Sequence, residues 1–281
     1  MNLDELESKS IYIIREAYYR FKNKVAALWS CGKDSTTMLY LIRKAFFGKI
    51  PFPVIHIDTS YKLREIYEFR DRITKEWDIN LIIARNEKAL AEGMHPSKGR
   101  LKCCTALKTE ALRQVLRKYK FKALFVAIRR DEHAIRAKER YFSPRNAEME
   151  WNYLNQPPEL WEQFNICLND EQDHYRVHPM LHWREIDIWL YIKRENIPVV
   201  PLYFAGYKKE GYRYRSIGCE PCVVPVPSNA RTIDEILEEL KTTNISERAG
   251  RAQDKEKLYA MQKLRALGYL IIFLIITAFV L

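Results

Sequence analysis

An apolar run, Val25-Ala26-Ala27-Leu28-Trp29, passes straight into Ser30-Cys31-Gly32-Lys33-Asp34-Ser35 and then into a segment of helical spacing that reaches Phe47. This succession restricts the fold more than any other stretch. A buried strand that ends in a small-residue loop and turns at once into a helix leaves the first helical N–H groups without intrahelical partners, aimed beyond the strand tip. The helix dipole adds to the attraction for negative charge there. Gly32 lets the backbone approach a ligand, Lys33 adds a point charge suited to phosphate, and Ser30 and Ser35 add hydroxyl donors. The loop is not of the G-x-x-x-x-G-K-[ST] kind, because Asp34 follows the lysine and the earlier glycine is missing. A plain strand-to-helix turn capped by Asp34 or a serine is the competing reading.

The alternation recurs along the chain. Residues 4–22 carry Leu6, Ile11, Ile14, Tyr18 and Phe21 near helical spacing. Strands are expected over 25–29, 52–57, 80–84 and 122–128, with helices over 35–47, 61–77 and 108–119 and a loop over 86–102. Strand–helix alternation implies an α/β fold, an open and mostly parallel sheet with helices on both faces. After Asp131 the pattern loosens. Residues 141–172, rich in Asn, Gln, Pro and aromatics, read as a long ordered loop. A fifth strand is expected over 175–179, a helix over 183–195, and charged helices over 233–241 and 246–264. The chain thus divides into an α/β domain (1–215), a Cys-x-x-Cys segment with a helical C-terminal appendix (216–270) and an apolar tail (271–281).

An apolar content of 47% in 281 residues suffices for a substantial core. The net charge of +11 points to anionic substrates such as nucleotides or sulfate, or to nucleic acid. The basic residues are dispersed and no appended nucleic-acid module is apparent, so no DNA or RNA partner is expected. The first fifteen residues are polar and acidic without an apolar signal core, which reads as a cytoplasmic protein. The run Leu267–Leu281 is shorter than the about 20 residues a span requires. It reads as a segment of no selected role, with a marginal anchor and a helix docked in a groove as alternatives, and no membrane is expected as a partner.

In an open parallel sheet, ligands lie beyond the carboxyl ends of the strands. The strand at 52–57 ends in His56-Ile57-Asp58-Thr59-Ser60. Asp58 could accept from a ribose or adenine donor, could hold Mg²⁺ through water, or could simply form an Asx turn before the next helix. The strand at 122–128 ends in Ile128-Arg129-Arg130-Asp131-Glu132, followed by Arg136, Lys138, Glu139 and Arg140. Guanidinium groups suit sulfate and phosphate oxygens. The plainer alternative is a solvated charged helix with pairs such as Glu132–Arg136, and the position after a sheet strand favours the first. Four cysteines, Cys103, Cys104, Cys219 and Cys222, are enough for a [4Fe–4S] cluster or a zinc site. Adjacent side chains diverge, which makes Cys103-Cys104 an awkward zinc knuckle, and four unliganded thiols remain the third reading.

The S-x-G-K-D-S order is similar to the pyrophosphate loop of the N-type ATP pyrophosphatases, which cleave ATP between the α- and β-phosphates. Together with His56–Ser60, Arg129–Glu132 and Arg136–Arg140 it resembles the phosphoadenosine phosphosulfate reductase family over most of residues 8–265. Within that family, Arg129–Glu132, Arg136–Arg140, Phe142-Ser143, Gln156–Trp161, Phe69–Arg72, Pro201-Leu202-Tyr203 and Ser246-Glu247-Arg248 resemble the catalytic small subunits of heterodimeric sulfate adenylyltransferases. Cys103-Cys104 and Ser216–Cys222 instead resemble the [4Fe–4S] ligands of adenylylsulfate reductases. No cysteine follows Cys222, so the thiolate that would form an enzyme-bound thiosulfonate is missing and reductase chemistry is disfavoured.

The resemblance implies an adenine nucleotide alpha hydrolase-like fold. It implies adenylylation of sulfate by ATP with release of pyrophosphate, with Mg²⁺ as cofactor, a [4Fe–4S] cluster as a further candidate and a GTPase large subunit as partner. Residues 141–172 and the C-terminal helices are the candidate docking surfaces. Lys33, Arg129, Arg130 and Arg136 are the expected catalytic residues, and Ser30, Gly32, Lys33, Asp34, Ser35 and Asp58 the expected nucleotide contacts. A reductase using an external thiol and an enzyme of nucleic-acid sulfur modification are the alternatives.

Overall fold

A computed structural model describes residues 2–132, 134–146, 149–154, 156–164, 166, 172–248 and 250–251. In chain order the elements are α1 (Leu3–Phe21), β1 (Val25–Leu28), α2 (Lys33–Ala45), β2 (Val54–Ile57), α3 (Arg64–Glu76), β3 (Leu81–Ala84), α4 (Glu87–Ala91), α5 (Arg100–Cys104), α6 (Glu110–Tyr119), β4 (Ala123–Phe125), β5 (Phe142–Asn146), β6 (Gln172–Val177), α7 (Glu185–Glu195), β7 (Tyr212–Arg213), β8 (Val226–Pro227) and α8 (Ile233–Thr242).

Six strands form one sheet in the order β3-β2-β1-β4-β6-β5, parallel throughout except for β5, which runs antiparallel to β6. The alternation of side chains along β1 explains the layering. Val25 and Ala27 belong to the core built from α1, α2, α3 and α7. Ala26 belongs to the core on the other face, with Leu124 and the α6 residues Ala111, Leu112, Val115 and Leu116. A strand covered on both faces reads as a continuous apolar run, as β1 does. From β1 the chain winds outward through β2 and β3, then crosses back to β4 on the other side of β1. The order therefore reverses between β1 and β4, and the crevice at their carboxyl ends is where such folds hold ligands.

Two stretches differ from the sequence expectation. Residues 141–172 contain β5, which a loop reading misses because Phe142 is its one buried apolar side chain and its other buried positions, Ser143 and Arg145, are polar. Arg145 is fully buried, donating to the carbonyls of Ser143 and Pro144 and to the carboxylate of Glu139. The 86–102 stretch carries α4 and the start of α5, so Cys103-Cys104 lies on a helix. A single wide turn over Thr105–Thr109 joins α5 to α6. Of the expected helix over 246–264, residues 247–248 form a turn and Arg251 pairs with Val223 as an isolated bridge. The rest of that helix and the 271–281 tail lie outside the described residues. Among the described residues, no helix is long and apolar enough to cross a membrane.

Candidate active site

The turn from β1 into α2 is held by its own side chains. Ser30 N–H donates to Ser35 Oγ at 3.2 Å, the two serine hydroxyls lie 3.1 Å apart, and Ser35 Oγ donates to the Gly32 carbonyl at 3.1 Å. Trp29 Nε1 donates to Thr36 Oγ1 at 3.1 Å, locking the strand end to the first helical turn. The left-handed residue is Cys31, with φ 65°, whereas Gly32 has ordinary extended backbone at φ −74°. Gly32 matters through space instead. A Cβ there would meet Ser30 Oγ at 3.3 Å and the Tyr203 hydroxyl at 3.5 Å. That hydroxyl accepts from the Lys33 N–H at 2.9 Å.

Lys33 and Arg129 converge, although one follows β1 and the other follows β4. Lys33 is buried and its Nζ donates to Asp34 Oδ2 at 3.1 Å and to Glu247 Oε1. Arg129 is fully buried. It donates from Nη2 to Glu247 Oε2 and from Nε to Asp131 Oδ1 at 2.9 Å, and its Nη1 pairs with Asp34 Oδ1. Asp131 in turn accepts from the Glu185 N–H at 2.8 Å, which ties Arg129 to the first turn of α7. Burial alone would oppose the guanidinium charge, but Glu247, Asp131, Glu132 and Glu185 hold Arg129 more firmly protonated than in water. The same cations drive the Glu247 carboxyl well below the usual carboxylate range against its burial.

Around this pair lies a cavity of about 340 Å³, lined by Ser30, Gly32, Lys33, Asp34 and Ser35 from the loop and by Arg136, Glu247, Arg248 and Arg251 opposite. Cys104 from the end of α5 and Lys108 and Thr109 from the wide turn that follows add to its wall, and such wide turns are frequent at functional sites. His178 also lines it. Burial outweighs its Glu139 neighbour and lowers its pKa to about 4, so it faces the cavity as a neutral ring.

The other sequence candidates divide. Arg136 lines the cavity and pairs with Glu132 one turn away. Arg130 turns elsewhere. Its guanidinium lies 5.3 Å from the Tyr141 ring centroid and donates to the Glu139 carbonyl at 3.3 Å, and it is not among the described residues lining the cavity. Asp58 is buried but does not line the cavity either. It forms the Asx turn, accepting from Ser60 N–H at 2.8 Å, and also accepts from Tyr67 Oη at 2.8 Å and from Arg85.

Burial would raise the Asp58 pKa, but these donors hold it down to about 2 against 3.8 for the free side chain. A depressed folded-state pKa gives stability that is full above 3.8 and lost as pH falls through 2. Discounted for the partial exposure of Arg85, it is worth about 1 kcal/mol. Urea titrations of wild type and Asp58→Asn are expected to differ by that amount at pH 6, with the gap closing toward pH 2.5.

Cys103, Cys219 and Cys222 are buried, Cys104 is half-buried, and none of the four is in a disulfide. They lie near one another, since burial and then Cys104, Cys219 and Cys222 push the Cys103 thiol up to about 12. Cys219 Sγ lies 3.1 Å from Thr59 Oγ1. Among the described residues, no three His, Cys, Asp or Glu side chains are grouped as metal ligands. Glu247, Arg248 and Tyr203 stand in the sequence only as points of resemblance, and Arg251, Lys108 and His178 carry no sequence signal for this site. Nothing local in the sequence marks them, because they reach the cavity from segments far from the loop.

Comparison with known proteins follows the same line. Residues 24–225 match the phosphoadenosine phosphosulfate reductase domain. Over 95% of its length the chain is 43% identical to sulfate adenylyltransferase subunit 2 of Zymomonas mobilis, covering 97% of that protein. It is 42% identical to the protein of that name from Shigella dysenteriae over the same shares of both chains. Among solved structures, phosphoadenylyl-sulfate reductase from Candida auris superposes with a TM-score of 0.55 at 16% identity, over 79% of this chain and 96% of that one. FMN adenylyltransferase from Candida glabrata in complex with ATP gives 0.58 at 16% identity, over 94% and 80%. At that identity the two structures attest the fold alone.

Proposed function

This chain belongs to the sulfate adenylyltransferase subunit 2 family, and from that premise we propose that it joins ATP and sulfate into adenylyl sulfate with release of pyrophosphate. A sulfate oxygen attacks the α-phosphorus in line. A new P–O bond to sulfate forms as the bond from the α-phosphorus to the bridging oxygen breaks, and the pyrophosphate leaves with the electron pair. The observation that carries the reading is the convergence of Lys33 and Arg129 on the two oxygens of one carboxylate, in a cavity that also opens on the N-terminus of α2. Two cations that can share a carboxylate can share a phosphoryl or sulfuryl group of similar size.

In this reading Lys33, the Ser30 and Ser35 hydroxyls and the backbone N–H groups of Asp34 and Ser35 hold the β- and γ-phosphates. Arg129 and Arg136 face the α-phosphate and the sulfate. Catalysis is then positioning plus fixed positive charge where negative charge accumulates. Asp34, which here accepts from Lys33 and pairs with Arg129, is the loop carboxylate that would hold a magnesium ion carried in on the phosphates once those cations turn to the substrate, since Mg²⁺ sites of this kind use one or two carboxylates and substrate oxygens. Such an ion would neutralise charge between the β- and γ-phosphates. Asp58, engaged in its turn and by Arg85, and Arg130, turned to Tyr141, are given no substrate contact. No step is routed through a cluster on Cys103, Cys104, Cys219 and Cys222, whose thiols are not arranged as a ligand set.

The relatives carry the designation subunit 2, which implies a larger partner. Because the sulfuryl–phosphoryl anhydride is an uphill product, a GTPase is the partner the proposed chemistry calls for. The test is exchange of labelled pyrophosphate into ATP by the chain together with that partner. Exchange is expected to require sulfate. Sulfate-independent exchange, or dithiol-dependent release of sulfite from adenylyl sulfate, would support a different reaction.

A further inference from the structure

The point where Lys33 and Arg129 meet already holds an anion belonging to the protein. Glu247 presents Oε1 to Lys33 and Oε2 to Arg129, and its side chain is 9% exposed between cations that are 1% and 0% exposed. It is pinned there from both sides. Arg215 donates to the Ile245 carbonyl, Arg248 donates to Glu132 Oε1 at 2.7 Å, and Arg251 donates to Ser216 Oγ at 2.5 Å and to the Ile217 carbonyl at 2.7 Å. The Val224 N–H donates to the Gly250 carbonyl at 2.9 Å, and a Cβ on Gly250 would lie 2.3 Å from the Val224 carbonyl oxygen. Residues 245–248 and 250–251 are therefore laid closely over the cavity, with Glu247 as the group that reaches in.

A phosphate chain cannot share these contacts with Glu247. Both cations already donate to it, and a second anion beside it would face like-charge repulsion in a site shielded from water. An incoming ligand has to take the carboxylate's place. A small monovalent or singly substituted anion offers Lys33 and Arg129 little that Glu247 does not already supply. A pyrophosphate group offers more charge and several more acceptor oxygens, which the α2 N-terminus and the loop hydroxyls can bind in addition.

We propose that Glu247 stands in for a phosphoryl group in the ligand-free protein and sets an affinity threshold: a ligand bearing a pyrophosphate displaces it, whereas a smaller anion binds too weakly to do so. The inference rests on the nucleotide-site reading of the cavity and adds to it a selection step. Displacement of an internal anion lowers the apparent affinity of every ligand, and lowers it to the point of exclusion for those that do not repay it.

Calorimetric titration of wild type and Glu247→Gln with inorganic pyrophosphate and with inorganic phosphate tests this. The variant is expected to bind both anions at least about tenfold more tightly, so that phosphate, too weak a ligand to displace Glu247 from wild type at millimolar concentration, becomes titratable. Unchanged affinity for both anions would show that Glu247 only supports the fold, and would overturn the proposal while leaving the anion site standing. Absence of pyrophosphate binding by both proteins would remove the anion site and the proposal together. Hydrogen exchange on the wild-type chain gives a second measurement that does not depend on the variant folding. Saturating pyrophosphate is expected to speed exchange in 245–251, and unaltered or slower exchange there would count against displacement.

Discussion

Replacing Lys33 by alanine is expected to lower sulfate-dependent ATP–pyrophosphate exchange by two to four orders of magnitude, roughly what losing one preorganised charge in a dry site costs. Lys33 is buried at the first turn of α2 and has Asp34, Glu247 and, at 4.0 Å, Glu185 as its counter-charges. Its removal therefore also leaves carboxylates short of a cation, and some loss of melting temperature should accompany the loss of rate. The two effects separate at a temperature where both proteins are folded, as judged by near-ultraviolet circular dichroism. Exchange within tenfold of wild type under those conditions would take the loop out of the mechanism.

Arg129 should be the second most sensitive position, and it carries a larger structural burden. Arg129→Ala strands Asp34, Asp131 and Glu247 around an empty volume, and breaking a buried charge network of this kind costs about 3–5 kcal/mol. That is a large part of the 5–15 kcal/mol that typically separates a folded domain from its unfolded chain. Arg129→Lys keeps the charge but cannot reach three carboxylates with one planar fork. It is expected to fold and to lose roughly 100-fold in kcat, with the KM for sulfate rising as well. Arg130→Ala is the internal comparison. Its guanidinium rests against Tyr141, outside the cavity, so turnover should stay within about threefold of wild type. Equal losses at Arg129 and Arg130 would mean that the substrate sits somewhere other than beside Lys33.

What could be read from the sequence follows from where the physics is local. The β1–α2 succession is local: an all-apolar strand, small residues and a lysine at a helix start place an anion site without reference to the rest of the chain. The parallel sheet follows from repeated alternation and from the need to cover both faces of each apolar strand. Arg129 was legible because strand ends in such sheets gather at one edge, but Arg130, its neighbour, was not separable from it, since one residue's difference in direction after a strand is fixed by the packing of Tyr141. β5 was not legible because its interior is satisfied by Arg145 and Glu139, with no apolar period to betray it. Glu247 was not legible because its role depends on a fold-back of the chain onto the first loop.

That fold-back spans 214 positions between Lys33 and Glu247. Contacts of such separation have to wait until the intervening sheet has assembled, because closing a long loop brings no return before there is something to close upon. On that argument the contacts of Glu247 form late in folding. On the function proposed above, Lys33 and Arg129 face an open cleft until then, and a polyphosphate in solution competes with Glu247 for the same two charges.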